Sequence, residues 1–300
     1  MPTAYTQIDS NIRKTWFLMA LFLVLVIAVG FYISEYYGSP SILYIAVIFS
    51  VVMNISAYWY SDKIVMKLAG AREITHEEDQ EIFHLVENLA ITSGMPLPKI
   101  FLITDPAPNA FATGRDKEHG AIAITTGLRD ILDKTEMEGV IAHELSHIRN
   151  HDTLIATVIV VLVGLLSILS DIFVRSRYLG VSSRNEKQSG PLAIFSFILI
   201  LFSPIIATII QLAISRKREF LADSSAVLLT RYPEGLARAL KKISSYGMPM
   251  KRVHSATAHL FISNPFGSKT KFSFAKMFMT HPPVEERIRA LLGDQNSNVL

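Results

Sequence analysis

The sequence contains no cysteine among its 300 residues. This absence excludes disulfide bonds, thiolate metal sites and a cysteine nucleophile, so any transition metal would have to be bound by His, Asp or Glu.

Charged residues make up only 18% of the chain, whereas an average soluble protein has about 25%. Hydrophobic residues make up 50%, and this excess indicates that part of the chain lies in lipid. The net charge of +3 is not gathered in one basic run, so we predict no nucleic-acid partner.

Apolar residues are concentrated in four segments, at 16–33, 42–60, 154–169 and 192–214. A helix needs about 20 apolar residues to cross a bilayer, and the third segment is shorter than the others. A second apolar segment follows the first almost at once, which argues against a cleaved signal peptide. We therefore predict about four transmembrane or membrane-embedded helices.

Basic residues predict how these segments are oriented. The turn at 34–41 contains no Lys or Arg, whereas basic residues flank the first two segments on their outer sides. The positive-inside rule then places the N-terminus and the region after Lys63 in the cytoplasm. The loop at 171–190 is also basic, which conflicts with a position outside. Two alternatives therefore stay open for the third and fourth segments: two full spans, or a hairpin partly buried in the membrane.

The remaining sequence predicts mixed α and β structure. Strands are expected at 99–103 and 120–127, with a turn region at 105–110. Two capping-box patterns predict helix starts, one formed by Thr75 with Glu78 and the other by Thr135 with Glu138. The second predicted helix contains the segment GVIAHELSHIRNHD, residues 139–152.

This segment contains the pattern HExxH. His143 and His147 are four residues apart, so a helix turns both imidazoles toward one point, and Glu144 is placed to reach a water molecule there. The opposite side carries an apolar stripe facing the core, formed by Met137, Ile141, Leu145 and Ile148. From this stripe we expect the polar side of the helix to face away from the core.

A catalytic zinc ion needs three protein ligands and one open position. The third ligand must return to the same side of the membrane, and Glu219 directly after the fourth apolar segment meets this condition. Asp223, one turn later, is expected to hydrogen-bond the outer nitrogen of a ligand histidine. The competing interpretation is that Glu219 pairs with neighbouring basic residues on a solvated helix. We assign His151 no ligand role.

The order of these motifs resembles the HtpX family of membrane zinc metalloproteases, which are gluzincins. The resemblance covers nearly the whole chain and rests on two N-terminal apolar segments, NAFATG (109–114), HELSHIRNHD (143–152), two more apolar segments, EFLAD (219–223) and THPPVEERI (280–288). It implies one Zn²⁺ per chain on His143, His147 and Glu219, with Glu144 as general base and Asp223 behind a ligand. It also implies stress-related quality control of unfolded or membrane proteins, at the cytoplasmic face of a bacterial inner membrane.

The predicted fold is a mostly α membrane protein with an α+β, zincin-like catalytic domain. We divide the chain into an N-terminal transmembrane hairpin (1–61), the first part of the protease domain (62–153), a second membrane hairpin (154–214) and the C-terminal part of the protease domain (215–300).

Two further predictions concern the substrate. His281 is a candidate donor to the oxyanion of the tetrahedral intermediate, and Arg287 is an alternative donor or a partner for a carboxylate. The run 120–126 is predicted to be a sheet edge to which a substrate strand adds. The predicted substrate-binding residues are Asn109, Ala110, Phe111, Ile122, Ala123 and Ile124.

Two alternatives compete with the metalloprotease prediction. A site-2-type intramembrane protease also uses HExxH, but Arg149 to Asp152 make the end of this helix too polar for the middle of a bilayer. A membrane scaffold or chaperone with structural zinc would usually supply four ligands, and we identify three.

Overall fold

A computed structural model describes residues 4–162, 164, 216–254, 256–267 and 282–293. Two long helices, α1 (Ala4–Tyr37) and α2 (Pro40–Leu68), form an N-terminal hairpin. The first half of the following domain contains β1 (Ala71–Glu73), α3 (Gln80–Ser93), β2 (Lys99–Ile103), β3 (Ala110–Thr113), β4 (Ala121–Thr125), α4 (Thr126–Ile131) and α5 (Lys134–Arg149). Later helices are α6 (Asp152–Leu162), α7 (Arg216–Thr230), α8 (Pro233–Ser245), a 3₁₀ turn (Ala258–Leu260) and α9 (Val284–Leu292).

The N-terminal hairpin has the length and composition of a membrane anchor. Ile8–Tyr37 and Pro40–Leu68 are both apolar and long enough to cross a bilayer. Large apolar side chains such as Phe17 and Ile45 are more than half exposed along these helices. Exposed apolar surface of this extent is favourable in lipid and costly in water.

Aromatic side chains mark the two ends of the hairpin. Trp16 and Trp59 are exposed near one end, and Tyr36 and Tyr37 are exposed at the other. From Trp16 to Tyr36 the helix rises about 30 Å, at about 1.5 Å per residue, which matches the hydrocarbon thickness of a bilayer. Trp and Tyr favour the two membrane–water interfaces, so these residues indicate where the membrane surfaces lie.

The domain that follows is built on a four-stranded sheet with the order β1-β2-β4-β3. β2 and β4 are parallel, and both outer pairs are antiparallel. The predicted strand at 99–103 is therefore confirmed. The one predicted at 120–127 is confirmed over Ala121–Thr125, since α4 begins at Thr126. The sequence did not predict β1 as a strand. Because β4 pairs with β2 on one side and β3 on the other, it is an inner strand. The prediction that 120–126 forms a sheet edge is wrong.

Alternating side chains divide the sheet into two buried faces. Ile122 and Ile124 of β4 join a core with helices α3, α5 and α8. Ala123 and Phe111 on the opposite face join a second core, which includes Val65 near the end of α2. The sheet domain thus packs directly against the end of the N-terminal hairpin, and a third cluster joins α1, α2 and α6.

The two predicted capping boxes are both displaced from the observed helix starts. Helix α3 is capped by Asp79, and Glu78 instead accepts a hydrogen bond from the backbone N–H of Thr75 in the preceding turn. Helix α5 begins with a reciprocal capping box between Asp133 and Glu136. In each case an aspartate just outside the helix accepts a bond from the first turn, and aspartate is among the preferred N-cap residues.

Several predictions fall on residues that are not described. The fourth apolar segment, the basic loop at 171–190 and His281 lie outside the described residues. The third segment is described as α6 up to Leu162. The predicted total of about four membrane helices therefore stays a prediction, and two of them are seen as candidate spans.

Candidate metal centre

Helix α5 places three candidate catalytic side chains in the interior of the protein. His143 is fully buried and Glu144 is 2% exposed, while His147 is partly exposed. The helix can approach α8 closely because residue 139 is glycine. A Cβ atom added at Gly139 would lie 2.7 Å from the backbone nitrogen of Leu236, which is closer than a real contact allows.

The imidazole of His143 is held by a carboxylate on α7. Nδ1 of His143 lies 2.9 Å from Oδ1 of Asp223. Arg287 of α9 donates two hydrogen bonds to the same carboxylate, from Nε at 2.9 Å and from Nη2 at 2.6 Å. Both Asp223 and Arg287 are buried, so this paired geometry satisfies two charges that would otherwise be costly in the interior.

These contacts shift the pKa values of His143 and Asp223. Burial and the charge of Arg287 disfavour a protonated imidazole, but hydrogen bonds to Asp223 and Glu219 prevail and raise the pKa of His143 to about 9. Burial opposes ionisation of Asp223, yet the adjacent Arg287 and His143 lower the pKa of its carboxyl to about 2. Asp223 is therefore an anion at neutral pH.

The imidazole of His147 is held in the same way by a different carboxylate. Nδ1 of His147 lies 3.0 Å from Oδ2 of Asp152, the first residue of α6. A carboxylate at Nδ1 fixes the neutral tautomer that carries its proton there and leaves the Nε2 lone pair available. Both histidines therefore turn Nε2 toward a common point.

Glu219 completes a group that could hold a metal ion. The ligand atoms of His143, His147 and Glu219 all lie within 4.8 Å of one another. The two Nε2 atoms are 3.2 Å apart, and each lies 3.6 Å from an oxygen of Glu219. Two ligand atoms bonded to one tetrahedral zinc ion at about 2.0–2.1 Å lie about 3.3 Å apart, so the residues fit this ion.

Comparison with known proteins identifies the family. The sequence profile of peptidase family M48 matches residues 76–295. The chain belongs to peptidase family M48. It is similar to proteins named "Protease HtpX homolog" from Dictyoglomus turgidum, with 45% identity, and Caldanaerobacter subterraneus, with 43% identity. These alignments cover 96% of this chain in both cases, and 94% and 97% of the relatives. A relative from Tropheryma whipplei is 39% identical over 97% of this chain and 99% of its own length.

The fold also resembles a solved structure. The crystal structure of Ste24p from S. mikatae matches with a TM-score of 0.51 and 20% identity, over 96% of this chain and 67% of that chain. At this identity the likeness bears on the fold alone. The family match and the HtpX relatives show that the chain is an M48 metalloprotease of the HtpX type. The two apolar helices agree with an integral membrane protein.

In this M48 protease the polar side of α5 is also largely buried, with only His147 of its HExxH residues partly exposed. The stripe of Met137, Ile141, Leu145 and Ile148 packs in the core, as predicted. The expectation that the opposite side faces away from the core is wrong, because α7 packs against it and Arg287 of α9 reaches the imidazole of His143. Helix α5 is also not one of the candidate spans in the described part of the chain, which disfavours the site-2-type alternative.

The predicted substrate-binding residues separate into two groups. Ile122, Ala123 and Ile124 lie on inner strand β4, whose backbone is paired on both sides, so they cannot pair with an added strand. Ala110 and Phe111 belong to β3 at the end of the sheet order. Asn109 holds a nearby loop, donating from Nδ2 to the carbonyl of Ser263 and accepting from its N–H.

Sequence reasoning missed two members of the site. Asp152 was treated only as a polar residue at the end of the motif, although it contacts His147. Asn11 was not considered, although its side chain reaches Asp152 from α1. The close spacing of His147 and Asp152 could have suggested the first contact, but no local pattern connects residue 11 with residue 152. Arg287 holds a carboxylate, which was one of its two predicted roles.

Proposed function

We propose that this protein is a membrane-bound zinc endopeptidase that uses one Zn²⁺ per chain, bound by His143, His147 and Glu219. The proposal rests on the convergence of the Nε2 atoms of both histidines with the carboxylate of Glu219. A further carboxylate contacts Nδ1 of each imidazole, Asp223 for His143 and Asp152 for His147. A zinc ion held there supplies Lewis acidity and lowers the pKa of a water molecule toward about 7.

Glu144 is the proposed general base. It is buried and follows the ligand His143 directly on α5. In this role it takes a proton from the attacking water and delivers it to the leaving amine, which contributes about 10²–10⁴-fold to the rate. His281 remains a proposed oxyanion donor. Arg287 is less suited to that task, because Asp223 already occupies its Nε and Nη2 groups.

Substrate is proposed to bind as an extended strand along β3. This strand ends the sheet order, and a cavity of about 640 Å³ lies beside Asn109 at its start. The carbonyl oxygen of Ala110 already accepts a hydrogen bond from the N–H of Ile262, so the added strand would pair beyond Ala110. Asn109, Phe261, Pro283 and Arg287 are among the residues that line this cavity. Backbone pairing on a sheet edge recognises extended chains with little regard to side chain. Unfolded or membrane proteins would therefore be suitable substrates, and nucleic acid would not.

The active site is proposed to face the cytoplasm of a bacterial inner membrane, where the protein takes part in quality control under stress. The C-terminal end of α2 packs against the catalytic domain. Lys63 and Lys67 lie at this end, after the aromatic residues that mark the membrane surface. A cytoplasmic position for this end agrees with the positive-inside rule.

Cleavage of an unstructured protein by the purified full-length chain tests the proposal. Wild-type protein should contain about one zinc per chain and should lose activity on treatment with a chelator. Glu144→Gln should keep the zinc and lose about 10²–10⁴-fold in turnover. Wild-type turnover by this variant would overturn the base assignment, and bound zinc without any cleavage by wild type would favour the scaffold alternative.

A further inference from the structure

One contact joins the membrane anchor to the candidate metal centre. Asn11 of α1 is 2% exposed, and its Nδ2 donates to Oδ1 of Asp152 at 2.8 Å. The other oxygen of Asp152 contacts Nδ1 of His147 at 3.0 Å. A continuous chain of polar contacts thus runs from the first membrane helix to a candidate zinc ligand.

The same amide also fixes the turn that places Asp152. Asn11 Nδ2 donates a second bond to the carbonyl oxygen of Asn150 at 3.1 Å, so it bridges the end of α5 and the start of α6. Between these two acceptors His151 has a φ of 55°, a left-handed conformation that is uncommon outside glycine. A turn with such a residue persists when surrounding contacts determine it, and Asn11 supplies two of them.

The position of Asn11 relative to the membrane suits this role. It lies five residues before Trp16 on α1, on the side of the aromatic residues that is away from the hydrocarbon. Near it, α1, α2 and α6 share an apolar cluster that includes Met19, Ala57 and Leu154. The anchor and the start of α6 are therefore packed together close to the contact.

Asp152 has one other charged neighbour in the described part of the chain. Arg218 Nη1 lies 3.6 Å from its Oδ1, beyond hydrogen-bond distance, and the Arg218 side chain is buried. Arg218 supplies charge, whereas Asn11 supplies a directed hydrogen bond that orients the carboxylate. Removing Asn11 should leave the Asp152 side chain free to rotate away from Nδ1 of His147.

We propose that Asn11 is a positioning residue of the metal centre, which orients the His147 imidazole through Asp152 and so makes metal affinity depend on the first membrane helix. The inference rests on the proposed role of His147 as a zinc ligand. Partners behind the ligands typically change metal affinity by about 10–100-fold. Because Asn11 acts one bond further out, we expect an effect at the lower end of that range.

The test measures zinc affinity of the full-length protein in detergent by chelator competition, together with the absorption spectrum of the Co²⁺-loaded protein. Asn11→Ala should weaken zinc binding about tenfold and change the Co²⁺ spectrum. Asn54→Ala is a matched control, because Asn54 is a buried asparagine of α2 whose Nδ2 bonds within its own helix. This control should leave both measurements unchanged.

A double-mutant cycle separates positioning from a general structural role. Asn11→Ala should cause no further loss of affinity in an Asp152→Ala background, because its effect passes through Asp152. If Asn11→Ala does not fold, the similarly sized Asn11→Leu replaces it, since its apolar side chain cannot donate to Asp152. Two results would overturn the role of Asn11 but leave the proposed zinc site standing. One is an unchanged zinc affinity in a folded Asn11 variant, and the other is a loss of affinity that adds fully to that of Asp152→Ala. A wild-type protein that binds no zinc would overturn the proposed function as well.

Discussion

The two histidines of α5 differ in what holds them. His143 is fully buried and depends on Asp223 and Arg287, which come from the C-terminal part of the catalytic domain. His147 is partly exposed and depends on Asp152 and Asn11, which come from the turn after α5 and from the membrane anchor. Both imidazoles have a carboxylate at Nδ1, but only the first carboxylate has a guanidinium making two hydrogen bonds to it. One side of the centre is thus fixed by a buried ion pair with two hydrogen bonds, and the other by a hydrogen bond from the anchor and a looser ion pair with Arg218.

The largest effect is expected from breaking the buried ion pair. Arg287→Met should lower the free energy of unfolding by about 3–5 kcal/mol, because the buried Asp223 carboxylate loses the guanidinium and its two hydrogen bonds. Unfolding of the zinc-free protein by heat or denaturant measures this. Arg129→Met, at a half-exposed arginine whose ion pairs are loose, should change stability by no more than about 0.5 kcal/mol. Equal stability of the two variants would show that Arg287 is not essential to the interior.

Removing the charge behind each histidine compares the two sides directly. Asp223→Asn should weaken zinc binding about 10–100-fold, whereas Asp152→Asn should cause a loss near the lower end of this range, because solvent reaches His147. Chelator competition on both variants measures the difference. Equal losses, or a larger loss for Asp152→Asn, would contradict the assignment of the stronger support to His143.

Proton release on zinc binding gives a second comparison. With a pKa raised from 6.5 to about 9, His143 carries a proton in the zinc-free protein at pH 7.5, and zinc must displace it. Zinc affinity should therefore increase as pH rises toward 9. The raised pKa of His143 stabilises the folded zinc-free protein fully below about pH 6.5, and this stabilisation is lost as pH rises through about 9. The zinc-free protein should therefore become less stable between these pH values.

Calorimetry in buffers of different ionisation enthalpy measures these protons. Wild-type protein should release about one proton per zinc from His143 at pH 7.5. Asp223→Asn should release less, since the contact that raises the pKa of His143 is weakened. Asp152→Asn should leave this proton in place, because the Asp152 carboxylate contacts the imidazole of His147 and not that of His143. The same release in all three proteins would refute this account.

The smallest effect is expected from a change that does not distinguish the two sides. Asp133→Ala removes the N-cap of α5, the helix that carries both histidines, and should lower the free energy of unfolding by about 1 kcal/mol. Thermal unfolding measures this, with Asp130→Ala at a nearby exposed aspartate as control. The zinc-affinity ratio between the Asp223→Asn and Asp152→Asn variants should be the same in this background.

Much of the candidate site was predictable because its information is local. The i, i+4 spacing on one helix brings His143 and His147 together whatever the surroundings, and the apolar segments identify the anchor from composition. Glu219 was found because a third ligand had to return to the same side of the membrane. The error on β4 had the opposite origin, since a strand's neighbours are set by pairing that its own residues do not encode.

The sequence by itself determined the two histidines, the carboxylates one turn apart on α7 and the membrane anchor. Only the tertiary structure decided which carboxylate lies behind which histidine, that Arg287 stabilises Asp223, and that Asn11 reaches Asp152 across 141 positions of sequence. The physical reason is that helical periodicity acts over a few residues. Contacts between α1, α5, α6, α7 and α9 depend instead on how whole elements pack when their apolar surfaces are buried.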